Sequence, residues 1–512
     1  MAACGCAGLS EERMRKGLFI SASVFAQLGL AASLQADPTV AQVPELPGYQ
    51  LVYSLNVPDA AAYTAASPAA YAVNNAADIA PGSFGRIAYW MELDDGNGSQ
   101  YVWASMDRFT SNAGRTGVPH LGTNAQYLRG VNNANVFSNV AGVATGTGQS
   151  GLSLEFWPIN YTAGTTPRGP ANGSTTLFDW NDSPSAGNYG SMQLHNAAAA
   201  TPHTVFAYNR WGGTTGNSDL GIGNNTIIPT GQTTASPDWT FRANAADYAV
   251  KNLRVYVGGA PPAAPALGTG APAQVYSNAP ETAGMTLVYK LSVPTTGNRM
   301  NIEGAPYAID NASKIQPGSF DRVGYYVHLA NGTEERWVFV SAKAFTNDAE
   351  RVGVPTIFNG AIYQQNLEDM NVWSNVAGVV TGTGITTGNM EFWPSNYAVA
   401  KAAGSPANAS GTTLDFGDSG AALTAGHGSM QIHNYGAGQT IFGFSDWGNK
   451  TGENVEIGIG NAPGTHPDWT HSSTSNLWTT KDIYVFVNQV PEPGSLALMG
   501  IAAAGLLVRR RR

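Results

Sequence analysis

The amino-acid sequence predicts an all-β protein built from two tandem antiparallel β-sandwich domains, jelly-roll or lectin-like in style. The first observation is an internal duplication at a separation of 236 residues: residues 135–148 match residues 371–384 at twelve of fourteen positions, and Glu-Phe-Trp-Pro at 155–158 recurs at 391–394. The second is a strand-like alternation of apolar and polar residues at matching places in both copies. The third is composition, since 61 glycines with only 12% charged residues are typical of turn-rich β structure.

The first 36 residues have the parts of a secretory signal peptide. A basic stretch at 13–16 precedes an apolar run at 17–34, and small residues lead to Ala36. We therefore expect residues 1–36 to be removed on export. A retained membrane anchor is the alternative interpretation of the same run.

A lead-in at residues 37–47 is followed by the first predicted sandwich at 48–257, and the second occupies residues 284–489. Turn residues at 95–98 and 331–332 predict a hairpin in each copy. The strands that lead into these turns alternate apolar and polar residues, which indicates half-buried strands of an antiparallel sheet. Their apolar faces carry Ile87, Tyr89, Met91 and Leu93 in the first copy and Val323, Tyr325, Val327 and Leu329 in the second.

The segment at 258–283 separates the two copies and is rich in Pro, Ala and Gly, with almost no charge. This composition predicts a semi-extended spacer rather than a packed element. Two domains joined in this way would behave as beads on a tether. They would engage a repetitive surface additively, through effective concentration.

Charge and cysteine content exclude several classes of function. Without both terminal segments, the chain has 19 basic and 32 acidic residues, a net charge of −13. Such a body has no basic face to neutralise phosphates, so nucleic acid is not a predicted partner. Both cysteines, Cys4 and Cys6, lie in the predicted signal peptide. A mature chain would therefore have no disulfide, thiolate metal site or cysteine nucleophile.

A polar and aromatic set recurs in both copies and is the candidate ligand-binding site. If the alternating apolar residues face the core, this set lies on outward faces of the strands. A carboxylate, an amide, a histidine and a flat ring suit sugar hydroxyls and the apolar face of a pyranose. The alternative is that these groups satisfy one another inside the sandwich. The set comprises Glu155, Trp157, Gln193, His195 and Trp211, with Glu391, Trp393, Gln431, His433 and Trp447.

Catalysis is not predicted, and neither is a metal or a cofactor. A glycoside hydrolase needs two carboxyl groups across the scissile bond, which Glu155 with Asp179 or Asp182 could supply. Retention of one pair in two tandem copies is more typical of a binding array. The sequence also has no nucleophile elbow, zinc-binding His-Glu-x-x-His or phosphate loop.

The C-terminal tail, residues 490–512, has three parts in order. Pro491, Glu492 and Pro493 lead into an apolar stretch at 494–508, which four arginines follow. Fifteen apolar residues are barely enough to cross a bilayer, but a basic stop can hold them there as a short transmembrane helix. The tail resembles the PEP-CTERM sorting signal of Gram-negative bacteria. That resemblance implies recognition by an exosortase, a membrane protein, and an association with exopolysaccharide and biofilm matrix.

The sequence thus predicts an exported protein, sorted to the cell envelope, cell surface or extracellular matrix, that is not an enzyme. The leading hypothesis is that its two modules bind or organise extracellular polysaccharide. The alternative is a purely structural matrix or adhesin protein that uses the modules as spacers or protein-contact surfaces. A polysaccharide hydrolase is the third and least favoured hypothesis.

Overall fold

The computed structural model describes most of both repeats. The described residues are 37–56, 71–94, 96–119, 127–157, 191–196, 198–199, 203–210, 218–223, 241–243, 250–292, 307–355, 363–393, 429–445, 456–460, 471–472 and 478–490. The predicted signal peptide and the motif Pro491–Pro493 lie outside them. Among the described residues, no helix is long and apolar enough to cross a membrane.

The first repeat consists of two antiparallel sheets. Its strands are β1 (Tyr49–Asn56), β2 (Val73–Asn74), β3 (Arg86–Asp94), β4 (Ser99–Asp107), β5 (Tyr127–Val131), β6 (Ala134–Ser138), β7 (Gly146–Gln149), β8 (Leu152–Trp157), β9 (Ser191–Asn196), β10 (His203–Arg210), β11 (Ser218–Ile222), β12 (Phe241–Ala243) and β13 (Val250–Gly258). The seven-stranded sheet has the order β2-β1-β13-β3-β4-β6-β7, and the six-stranded sheet has the order β12-β11-β10-β9-β8-β5. Short 3-10 turns lie at Leu46–Gly48, Ala76–Asp78 and Ala113–Arg115.

The second repeat has the same arrangement. Its strands are β14 (Met285–Ser292), β15 (Ile309–Asp310), β16 (Arg322–Ala330), β17 (Glu335–Lys343), β18 (Tyr363–Leu367), β19 (Met370–Ser374), β20 (Gly382–Ile385), β21 (Gly388–Trp393), β22 (Ser429–Asn434), β23 (Gln439–Ser445), β24 (Glu456–Ile459), β25 (His471–Ser472) and β26 (Thr480–Asn488). The sheet orders are β15-β14-β26-β16-β17-β19-β20 and β18-β21-β22-β23-β24-β25. Its 3-10 turns are Pro280–Gly284, Ala312–Lys314, Ala349–Arg351 and Tyr435–Ala437.

Each repeat has one apolar core between its two sheets. In the first, Ile87 and Tyr89 of β3 share the core with Leu154 of β8 and Phe206 of β10. The predicted alternation is correct here, because every second residue of β3 points into this core. The structure confirms the predicted all-β, antiparallel fold. The exact domain boundaries stay a prediction.

The outer face of the seven-stranded sheet is more apolar than the sequence pattern indicated. Trp90 of β3 and Trp103 of β4 lie on the side away from the main core, yet both are completely buried. They pack with Val43 and with Leu46 from the lead-in segment. The lead-in therefore covers this face, and the strands are buried on both sides rather than half-buried.

The segment that joins the repeats covers the corresponding outer face of the second sandwich. Residues 258–283 were expected to form an extended spacer, but they contain helix α1 (Ala273–Asn278), and Val275 of this helix is buried. Val275 packs on Tyr326 and Phe339, which correspond to Trp90 and Trp103 in the first repeat. The apolar residues of this low-charge segment thus find a partner in the aromatic sheet face.

One glutamate fixes each covering segment to its sheet. Glu45 accepts hydrogen bonds from Trp103 Nε1 at 2.6 Å and Asn135 Nδ2 at 2.5 Å. Glu281, 236 positions later, accepts from Arg322 Nε at 2.8 Å, Ser341 Oγ at 2.7 Å and Asn371 Nδ2 at 3.0 Å. Charge-assisted bonds of this kind are stronger than neutral ones.

We expect Glu281→Ala to destabilise the second sandwich by about 1–3 kcal/mol, because it leaves partly buried donors without an acceptor. Guanidinium chloride unfolding measures the change. Glu334→Ala is the matched control, since this half-exposed carboxylate pairs with Arg336 at 3.5 Å and a surface pair contributes little. Equal effects of the two substitutions would contradict the assigned role of Glu281.

The two sandwiches also contact each other directly, at a site that we call the joint. Glu350 of the second repeat accepts hydrogen bonds from Thr110 Oγ1 at 2.9 Å and from the backbone N–H of Ser111 at 2.7 Å. It also pairs with Arg115 Nη1 at 2.6 Å, while Arg115 Nη2 pairs with Asp348 at 3.0 Å. All three ionic side chains are largely buried. The expectation of two beads on a tether is therefore replaced by two sandwiches with a specific polar contact.

Candidate functional site

The structure brings together strands that the sequence could not show to be neighbours. β8 and β9 pair so that Glu155 lies directly opposite Gln193 and Ser153 opposite His195. In the second repeat Glu391 of β21 lies opposite Gln431 of β22. Residues directly opposite on adjacent strands have side chains on the same face of the sheet. The carboxylate and amide positions of each predicted set are thus cross-strand neighbours in the six-stranded sheet.

The described members of the set are not accessible. Gln193 and His195 are 3% and 0% exposed, and Gln431 and His433 are 4% and 0% exposed. They do alternate with core residues such as Met192 and Leu194, as predicted. However, the face on which they lie is buried rather than open. The structure describes only the backbone of Glu155, Trp157, Glu391 and Trp393, while Trp211, Trp447, Asp179 and Asp182 lie outside the described residues.

The two histidines form equivalent internal pairs. The Nδ1 atom of His195 lies 3.2 Å from Thr204 Oγ1, and that of His433 lies 3.2 Å from Thr440 Oγ1. Burial lowers the pKa of each imidazole to about 3, because a charged ring is costly to desolvate. Both rings are therefore neutral at physiological pH. A neutral histidine bonded to a threonine is suited to satisfying buried polar groups.

Sequence reasoning missed an aromatic row on the outer face of each seven-stranded sheet. In the second repeat, half-buried Trp337 and Trp373 pack on the covered cluster that contains Tyr326 and Phe339. Tyr101 and Phe137 hold the matching positions in the first repeat and are also half-buried. The recurrence of aromatic residues at these positions was a detectable signal. Their partial exposure depends on where the covering segments end, which the alternation pattern does not contain.

The rings of the second row are held in fixed orientations. Trp337 stacks on Tyr326 with centroids 5.9 Å apart and planes 14° apart, and Trp373 contacts Phe339 at 5.6 Å. Trp90 and Tyr101 stack in the same way in the first repeat, at 4.9 Å and 21°. Rings fixed by their neighbours lose little conformational entropy when a ligand binds.

Polar groups lie beside these rings. His328 Nε2 is 3.0 Å from Glu335 Oε1, and His328 is directly opposite Trp337 in the sheet. Lys290 lies 3.7 Å from Asp482 and 5.5 Å from the ring centroid of Tyr484. Partly exposed rings with adjacent donors and acceptors can contact a ligand that has both apolar and polar faces. Among the described residues, no group of three or more His, Cys, Asp or Glu side chains is placed to hold a metal ion.

Comparison with known proteins identifies the tail and leaves the family of the body open. Residues 489–512 match the PEP-CTERM protein-sorting motif, which confirms the prediction for this segment. The protein is accordingly exported and sorted to the cell envelope, and the motif implies processing by exosortase, a membrane protein. No curated protein matches the chain. A solved structure described as "Crystal structure of CghA" aligns with 86% of this chain and 99% of its own, at 10% identity and a TM-score of 0.12, a similarity too weak to support an argument.

Proposed function

We propose that this exported, surface-sorted protein is non-catalytic and binds or organises extracellular polysaccharide, as part of a biofilm matrix, through the aromatic rows of its two sandwiches. The observation that carries the proposal is the repeated pair of half-buried rings, Tyr101 with Phe137 and Trp337 with Trp373. Apolar ring faces at a protein surface favour the apolar face of a sugar ring. The net charge of −9 supports a neutral rather than a polyanionic ligand.

The proposed binding residues lie on the seven-stranded sheet, whereas the described members of the set predicted from the sequence lie on the six-stranded sheet. Gln193, His195, Gln431 and His433 are buried, so we do not expect them to contact a glycan directly. The sequence prediction of a ligand contact still stands for the remaining members of the set: Glu155, Trp157, Trp211, Glu391, Trp393 and Trp447. Two separate rows on one body would bind a polymer with a combined strength above that of either row.

Affinity electrophoresis through gels that contain the host's own exopolysaccharide tests this function. We expect the protein to be retarded, and Trp337→Ala with Trp373→Ala to weaken the apparent affinity about ten-fold, since each ring contact contributes about 0.5–1.5 kcal/mol. Tyr435→Ala is the matched control, because it truncates an aromatic residue in a turn of the other sheet. Unchanged retardation of the double variant would remove the aromatic row from the site.

A purely structural matrix role is the second candidate, and the joint is the observation that favours it. A buried polar contact between the sandwiches (Arg115 with Asp348 and Glu350) suits a spacer of defined shape. This candidate predicts free migration of the intact protein in every polysaccharide gel. Retardation of the intact protein that both tryptophan substitutions reduce would exclude it.

A further inference from the structure

The sorting tail begins where the chain is still hydrogen-bonded to the folded body. β26 ends at Asn488, whose Oδ1 accepts from the backbone N–H groups of Asp321 at 3.0 Å and Arg322 at 2.8 Å. Two residues later, the backbone N–H of Val490 donates to Ser319 O at 2.7 Å. The chain is thus attached to the second sandwich up to the residue before Pro491.

Very little chain separates this attachment from the apolar part of the tail. The predicted membrane segment begins at Gly494, four residues after Val490. Four residues span at most about 14 Å, even when fully extended. This is about half the thickness of the hydrocarbon core of a bilayer, which is roughly 30 Å. The linker between the body and the predicted membrane segment is therefore too short to hold the body away from the membrane.

We infer that, while the tail is in the membrane, the end of the second sandwich around Val490 is held against the lipid headgroups. This end, which we call the root face, consists of the start of β16, the end of β17, the end of β26 and the bend at residues 368–369 between β18 and β19. Its residues are connected by contacts: Arg322 at the start of β16 bonds Asp369, and Lys343 at the end of β17 bonds Glu368. The inference depends on the sorting tail, and not on polysaccharide binding.

The charges of the root face show that the tail, and not the face itself, brings about this contact. Glu368, Asp369 and Lys343 have side chains 71%, 67% and 64% exposed. Acidic and basic groups are mixed there, with no cluster of Lys and Arg of the kind that binds anionic lipids. The body should therefore leave the membrane completely once the tail is removed.

A second contact between the two sandwiches has a consequence for processing. Gln316 Nε2 donates to Pro81 O at 2.6 Å, so the loop before β16 contacts both Val490, through Ser319, and the first sandwich. This second contact between the sandwiches therefore lies next to the root face, and an exosortase that binds Pro491–Pro493 must work beside two folded domains. A sorting enzyme with an exposed binding site at the membrane surface fits this geometry.

Energy transfer to a labelled bilayer tests the inference on the full-length protein. Single labelling sites are made by Glu368→Cys at the root face and Thr333→Cys at the opposite end of β17, with Cys4 and Cys6 replaced by serine. β17 has nine residues, so the two sites are about 27 Å apart along the strand. In phosphatidylcholine vesicles with acceptor-labelled lipid, we expect at least two-fold higher transfer from the Glu368→Cys site.

Two further variants make the result decisive. Ten Gly and Ser residues inserted between Val490 and Pro491 should reduce transfer from the root face towards that of the distal site. A chain that ends at Val490 and also lacks the apolar signal segment, residues 1–36, should not sediment with vesicles of phosphatidylcholine or phosphatidylglycerol. Equal transfer from both sites, no effect of the insertion, or vesicle binding by the truncated chain would each overturn the inference. None of these outcomes depends on whether the protein binds a glycan.

Discussion

Glu350→Ala is expected to uncouple the two sandwiches. The substitution removes one carboxylate partner of Arg115 and the acceptor for Thr110 and for the N–H of Ser111. Loss of one partner from a buried ion pair typically costs about 3–5 kcal/mol. Here that cost falls on the contact between the domains, because all three donors belong to the first repeat. Calorimetry should show one cooperative transition in the parent protein and two in the variant.

Two control substitutions distinguish loss of the joint from a general loss of stability. Glu350→Gln keeps the shape of the side chain and one oxygen acceptor, while an NH2 group replaces the second carboxylate oxygen. It should therefore weaken the contact between the sandwiches less than Glu350→Ala. Glu335→Ala removes an exposed carboxylate from the same repeat and should leave a single transition. If Glu350→Ala also unfolds as one transition at an unchanged temperature, the joint does not couple the domains.

The joint could not have been predicted from the duplication, because it depends on positions where the copies differ. Glu350 and Asp348 correspond to Gly114 and Asn112 in the first repeat, and both repeats have an arginine at the position of Arg115. The carboxylates are thus specific to the second copy. An internal alignment shows this difference, but nothing in it indicates that the two turns face each other.

The strands and hairpins were predictable because alternation is a local property of the backbone. Ile87 and Val323 face their cores as predicted, and β3 and β16 each continue into a hairpin strand. Which outer faces are covered is not a local property. Trp90 is buried by the lead-in, and Tyr326 by residues that composition assigned to a spacer.

The same limit explains the candidate site. Period-two alternation correctly placed Gln193 and His195 on the side of β9 away from Met192. It could not show that this side is also buried, since solvent exposure depends on parts of the chain far away in sequence. Conversely, Trp337 lies on the outer face of the seven-stranded sheet, where neighbouring aromatic residues are covered but Trp337 itself stays partly accessible. The alternation pattern does not distinguish the covered positions on this face from the accessible one.

Mild acid is expected to destabilise each sandwich through its buried histidine. The pKa of His195 and of His433 is lowered to about 3 by burial, whereas a histidine in the unfolded chain titrates near 6.5. The unfolded state therefore binds the extra proton between these values. The contribution of each histidine is fully present above pH 6.5 and is lost as the pH falls towards 3. At pH 5 the loss is about 2 kcal/mol for each histidine, or about 4 kcal/mol for a cooperative body.

Urea unfolding at pH 7 and pH 5 measures this loss, and two variants isolate it from the titration of carboxylates. His195→Asn and His433→Asn place an amide nitrogen near the former Nδ1 atom, so the contact with Thr204 or Thr440 can be kept. Each substitution should lower stability at pH 7 but reduce the difference between the two pH values by about 2 kcal/mol. The two repeats serve as controls for each other, because the sites are equivalent. If the double variant loses as much stability as the parent protein between pH 7 and pH 5, the histidines are not the acid-sensitive groups.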